Sequence, residues 1–285
     1  MATKKKVTNS KISNSKIKKA VTEKALISVI DLEKLRKLNV WLGAIFFLQA
    51  IAVVLFGGSK SASITTHYLS IDQLGSQAAG HQVLGAATRH LFDIRLTVVA
   101  AIFLLVFSLI SFALATVCRN HYETQLQRNS NSARWLSFAL AGGFVLTALA
   151  IEGGFYDLGS LVAIFALTVV GIGLQPVAEK LKANGVTNLF IRGISITGLC
   201  LAVVPWFLFI LSIVGVLLWG GHMPGSVYVM YATTFLLLSC WLLAIRFRNS
   251  ERGRWTDVVY AEKMYMFLGI AIGTVLAWQI FAGAL

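Results

Sequence analysis

Seven long apolar stretches divide the chain, with polar segments between them. They run at about Leu38–Gly57, Leu96–Val117, Trp135–Ile151, Leu158–Leu174, Ile194–Trp219, Val227–Ile245 and Met264–Leu285. The last is 22 residues without a charge. At about 1.5 Å per residue, a helix of that length crosses a hydrocarbon core of roughly 30 Å. The pattern predicts an all-α membrane protein with seven spanning helices. Gly159, Gly171 and Gly173 make the fourth span one that a neighbouring helix can approach closely. Pro205, in the middle of the fifth, predicts a kink.

The segments outside the spans differ in kind. Residues 1–24 are rich in Lys, Ser and Asn and read as a disordered basic tail. No apolar run of signal-peptide length follows within the first 30 residues. From 25 to 37, Ala25, Val29, Leu32 and Leu35 recur at helical spacing among Asp31, Glu33, Lys34 and Arg36. That predicts a short amphipathic helix in the membrane interface, leading into the seven-helix domain at 38–285. Between the first two spans lies Gly58–Leu91. Its β-branched and aromatic run Ser63–Leu69, followed by turn-forming residues over 72–80, predicts a small β-hairpin.

Composition agrees with a membrane protein. Hydrophobic residues make up 57% and charged residues 13%, against about a quarter charged in soluble chains. The net charge of +13 suggests nucleic acid until its distribution is counted. Eleven Lys and Arg precede the first span. Three lie between the second and third, three between the fourth and fifth, and five between the sixth and seventh. That places 22 on one side and only Lys60, Arg89 and Arg95 on the other. Basic residues favour the cytoplasmic side, so the N-terminus is expected inside and the C-terminus outside the cell membrane. The basic excess then serves orientation and attraction to anionic lipid, and no nucleic acid is expected as a partner.

Candidate chemistry is sparse. Glu152 and Asp157 flank the third-to-fourth turn and read as solvated acids at the outer boundary. His67, His81, His90 and His222 fall on the outer side without metal-ligand spacing, and no metal is expected. Asp93 and Arg95 open the second span and read as a pair anchoring it at the interface. Ser137, Thr147, Thr168, Ser239 and Gln279 are neutral polar groups at lipid depth; these bond to helix backbones or line a pocket for a neutral ligand. Cys118, Cys200 and Cys240 read as small packing residues. Nothing here predicts an enzyme.

The last span contains Leu276-Ala277-Trp278-Gln279-Ile280-Phe281. This run resembles the final helix of heliorhodopsins, the microbial rhodopsins inserted with inverted orientation. Weaker matches follow in order: Asn39 and Gln49, Arg134-Trp135, Pro205-Trp206, Val227-Tyr228, Gly253-Arg254-Trp255, then Glu262 and Tyr265. The resemblance covers about Leu38 to Leu285. It implies a rhodopsin-like seven-helix bundle and a homodimer. The outer hairpin and the fourth and fifth spans would make the contact.

The departures fall where the chemistry should be. In the family, a lysine three residues before the final run carries retinal. The resemblance places Gly273 there, and only a lysine amine can form that Schiff base. The glutamate counterion, two residues after the Arg-Trp pair, corresponds to Ser137. A serine one turn before the lysine corresponds to Gly269, and inner-cavity histidines correspond to Phe46 and Ser111. Losing cation and anion together is coherent, because either alone at mid-membrane is costly. The former pocket is thus assigned to Gly273, Ser137, Gly269, Trp206, Trp278 and Gln279, and covalent retinal is not expected. The reading is a light-independent binding or signalling scaffold, with a cytoplasmic protein partner at the basic inner loops. The alternatives are a photosensor that holds retinal or a carotenoid non-covalently and, third, a solute or ion transporter.

Overall fold

The computed structural model describes residues 27–128, 130–250 and 253–284. The tail read as disordered, 1–24, lies outside them. Seven described helices are long and apolar enough to cross a membrane. They are α1 (Val29–Phe56), α3 (Leu96–Ala115), α5 (Ser132–Glu152), α6 (Leu158–Ala183), α7 (Asn188–Trp219), α8 (Gly225–Asn249) and α9 (Val258–Ala284). Among the described residues, two short α-helices, α2 (Gln73–Ala79) and α4 (Arg119–Gln127), and a 3-10 turn at Gly253–Thr256 lie between them.

Most of these helices outrun the apolar stretches that announce them. Hydropathy marks lipid depth, whereas a helix continues until its backbone is capped. Ser28 accepts from the Asp31 N–H, Asn131 from that of Arg134 and Asp157 from that of Ser160, which starts α1, α5 and α6. The described part of 25–37, expected as an interfacial helix, is therefore the opening of the single 28-residue α1. Pro205 sits inside a continuous 32-residue α7.

The outer hairpin pairs β1 (Ser61–Asp72) with β2 (Val83–Arg95) antiparallel, and α2 forms its tip. A register shift at Ile64/Thr65 bends it. There Thr65 N–H donates to the Tyr156 carbonyl at 2.9 Å, docking the hairpin on the α5–α6 turn. Asp93 and Arg95 belong to this strand rather than to a span. The partner of Asp93 is His90, at 3.2 Å, so the expected Asp93–Arg95 pair gives way to a hairpin contact.

Around the bundle, α1 packs on α3, α3 on α5, α5 on α6 and α6 on α7; α8 packs on α9, which also contacts α1 and α3. The α6–α7 crossing is tight. A Cβ on Gly171 would lie 2.6 Å from the Gly198 carbonyl oxygen, so glycine is needed there. The close approach expected of the fourth span is thus made within the chain.

Candidate functional site

The space around Gly273 is filled by aromatic rings. Gly273 is buried, and a Cβ built on it would stand 2.7 Å from Phe46 Cε1 and 3.6 Å from Phe107 Cδ2. That position points toward α1 and α3. Phe46 and Phe107 stack at 5.1 Å between centroids. Phe107 meets Phe138 edge-on at 5.7 Å, and Phe138 leans on Trp241 at 5.5 Å. This row crosses from α1 through α3 and α5 to α8.

Two small cavities flank the row. One, of about 70 Å³, is apolar and lies among Phe138, Thr168, Trp206, Trp241, Ile272 and Leu276. The other, of about 40 Å³, is lined by Asn39, Phe46, Ser111, Ser137 and Gly269 and by the Arg134–Glu262 pair. Phe107 and Phe138 line both and stand between them. Pockets that hold drug-sized ligands are about 300–1,000 Å³. No lysine lines either cavity. These residues do not fit a chromophore joined through an amine.

The six assigned pocket residues separate accordingly. Ser137 and Gly269 share the smaller cavity, Trp206 lines the larger, and Gly273 abuts Phe46 and Phe107. Trp278 and Gln279 are corrections. Trp278 is 41% exposed and meets Phe281 edge-on at 5.1 Å between centroids, away from the centre. Gln279 donates through Nε2 to Thr233 Oγ1 at 3.1 Å, tying α9 to α8. A helix places every residue at its own angle, so a contiguous run cannot share one face. Of the other polar groups at lipid depth, Thr147, Thr168 and Ser239 donate to carbonyls of their own helices, as expected.

Charge is buried below the smaller cavity, on the side assigned to the cytoplasm. Glu262 of α9 is 1% exposed. One of its carboxylate oxygens pairs with Arg134, which opens α5. The other accepts from Asn131 Nδ2 at 2.8 Å and from Tyr122 Oη at 3.1 Å. The Arg134 guanidinium lies over the Tyr265 ring, 4.4 Å from its centroid. Burial pushes the Tyr122 phenol up to about 12, so it stays a neutral donor. In the sequence Arg134 and Glu262 stand as two separate motif matches with nothing to join them. The available signal was that Glu262 is the only carboxylate in α9.

At the other end, Glu152 also departs from expectation. Its side chain is 4% exposed rather than solvated, because Lys60 covers it at 3.2 Å while also donating to the Gly283 carbonyl at 2.9 Å. Asp157 is the N-cap of α6; hydrogen bonds from Ser160, above all its backbone N–H, hold its carboxyl below the usual range. The described histidines are scattered: His67 bonds Thr88 and His90 bonds Asp93. Among the described residues, no three of His, Cys, Asp and Glu converge on a metal position.

A family model described as heliorhodopsin matches residues 35–285. No curated protein matches the chain.

Proposed function

The chain belongs to the heliorhodopsin family, and on that premise we propose that it is a retinal-free member acting as a light-independent binding or signalling scaffold. One observation carries the reading: the Phe46 ring stands only 2.7 Å from where a Cβ on Gly273 would lie. A lysine there would meet carbon at the first atom of its side chain, and Ser137 would offer its ammonium no anion. The buried Arg134–Glu262 pair supports a structural use of this charge. In this reading the N-terminus is cytoplasmic in the cell membrane and the C-terminus outside. The protein is a homodimer whose contact includes the exposed hairpin residues Leu69 and Leu84. Exposed Arg246 and Arg254 offer the inner face to a cytoplasmic protein.

The test is a visible spectrum of protein purified from cells supplied with retinal. Colourless protein with no extractable retinoid is the expected result, and a bound visible band overturns it. A second reading is a retinoid or carotenoid held without a covalent bond in the apolar cavity beside Trp206, which would have to widen to take it. The same spectrum decides between them.

A further inference from the structure

Lys60 straps the base of the hairpin to the bundle. It lies in the short connection from α1 to β1, and its carbonyl accepts from the Leu96 N–H at 3.4 Å, where β2 meets α3. Its ammonium reaches across to the Glu152 carboxylate at the end of α5 and to the Gly283 carbonyl in the last turn of α9. The two members of the ion pair differ in exposure: the Lys60 side chain is 49% exposed and that of Glu152 4%. A long stem at the surface moves into water at little cost, whereas a buried carboxylate stays in place. The pair therefore opens at the lysine.

The same corner holds two unpaired polar groups. Glu152 Oε1 and Tyr231 Oη of α8 are both buried, and among the described residues neither has a hydrogen-bond partner. A Cβ on Gly153, the residue after Glu152, would fall on Tyr231 Oη, so the phenol stands over this turn. An unpaired buried polar group is costly. One proton on Glu152 changes what the corner can do, because a neutral carboxyl donates where a carboxylate only accepts.

We propose that Lys60 and Glu152 form an acid-released latch, which holds the hairpin base to the ends of α5 and α9 and lets go when Glu152 takes up a proton. The proton comes from water on the hairpin side. Glu152 then donates to Tyr231 Oη, and Lys60, left without an anion, turns to solvent. The latch is closed while the carboxylate is ionised and opens as pH falls through its titration.

Few other groups share this corner. Lys60 is the charge that acts on Glu152, and the charge of Glu152 acts in turn on Tyr231. Ser212 of α7 donates to the Gly153 carbonyl at 3.0 Å. The ionisable residues of α9, Tyr260, Glu262, Lys263 and Tyr265, lie toward its other end, and α3 has none. The chain end, Leu285, lies outside the described residues. On the neighbouring turn Asp157 is held by Ser160 and by the charge of His67. In the hairpin His90 pairs with Asp93, and Arg95 is exposed. The latch does not depend on whether retinal is bound.

The test is hydrogen exchange of the full chain in mild detergent, read by mass spectrometry and corrected for the intrinsic effect of pH. From about pH 7 to about pH 4, where carboxylates titrate, amides around Leu96 and in the last turn of α9 should lose protection at least about tenfold, as a buried ion pair opens. Glu152→Gln, which imitates the protonated acid, should show the low protection at both pH values with unchanged helical circular dichroism. Should that variant fail to fold, Lys60→Met, altered at a half-exposed side chain, makes the same comparison. Tyr231→Phe should keep the latch at neutral pH and move its release to lower pH. Protection independent of pH in the unaltered protein overturns the proposal. So does an acid step that survives in Glu152→Gln or Lys60→Met. A step abolished by Asp157→Asn alone overturns it too, because the sensor is then the docking turn.

Discussion

Phe46 and Gly273 are complementary: the ring of one lies 2.7 Å from where a Cβ on the other would stand. Gly273→Ala should therefore cost about 1–3 kcal/mol through overpacking. Adding Phe46→Leu should recover part of that loss. Thermal unfolding of the two single variants and the pair measures it. Additive losses would show that the two positions do not compete for one space.

Rebuilding a chromophore site needs more than a lysine. Gly273→Lys with Ser137→Glu supplies amine and counterion but leaves Phe46 in the way. With retinal present, that double variant should stay colourless. Adding Phe46→Ala should allow a visible band, further to the red than in Gly273→Lys with Phe46→Ala alone, because the anion keeps the Schiff base protonated. A coloured double variant would show that the ring moves aside unaided.

Glu262 holds three partners, Tyr122 from α4 and Asn131 and Arg134 from the start of α5. Glu262→Gln leaves the Arg134 charge buried without its anion and should destabilise by about 3–5 kcal/mol. Arg134→Met alone should cost a similar amount. The double variant Arg134→Met with Glu262→Leu should cost less than either, because no orphaned charge remains. Thermal unfolding of the full cycle checks this.

Tyr122 makes part of that network sensitive to alkali. Its phenol is held up to about 12 by burial, against about 10 when unfolded. The folded state keeps the proton more tightly, so the stability it contributes is complete below about pH 10 and is lost as pH rises toward about 12. Tyr122→Phe should remove this component and also the bond to Glu262, for about 1.5–3 kcal/mol at neutral pH. Unfolding midpoints of both proteins from pH 8 to pH 12 should converge as the pH rises; parallel curves would contradict the assignment.

Orientation is tested apart from the site. A tag before Met1 should be labelled only from the cytoplasm, and a tag after Leu285 only from outside. The reverse would overturn the reading of the 22 to 3 split.

Lipid-depth stretches and the hairpin were legible because each rests on a local pattern, a run of apolar residues or an alternation with turn residues between. What was not legible depends on rotation and on distance along the chain. Trp278 lies in the most distinctive run of the sequence and still faces outward, since composition does not set helical phase. Glu152 stands at the end of an apolar run and reads as solvated; its cover, Lys60, is 92 residues away. Glu262 and Tyr122 are separated by 140 residues, and no spacing rule joins them. The filling of the centre by Phe46 and Phe107 needed the packing of α1, α3 and α9. The loss of Lys and Glu was visible residue by residue, but not what had taken up their room.

The strand β2 ends at Arg95 and α3 begins at Leu96, with no loop between. There is no slack at this joint. β2 is zipped along its length to β1, so a load applied to the hairpin passes along the backbone as axial tension or torque on α3. Eleven residues into that helix stands Phe107, against the ring beside Gly273. The hairpin and α3 thus form a crank: a partner that grips the outer ribbon has a stiff mechanical linkage to the middle of the bundle, with no chemistry at the centre required.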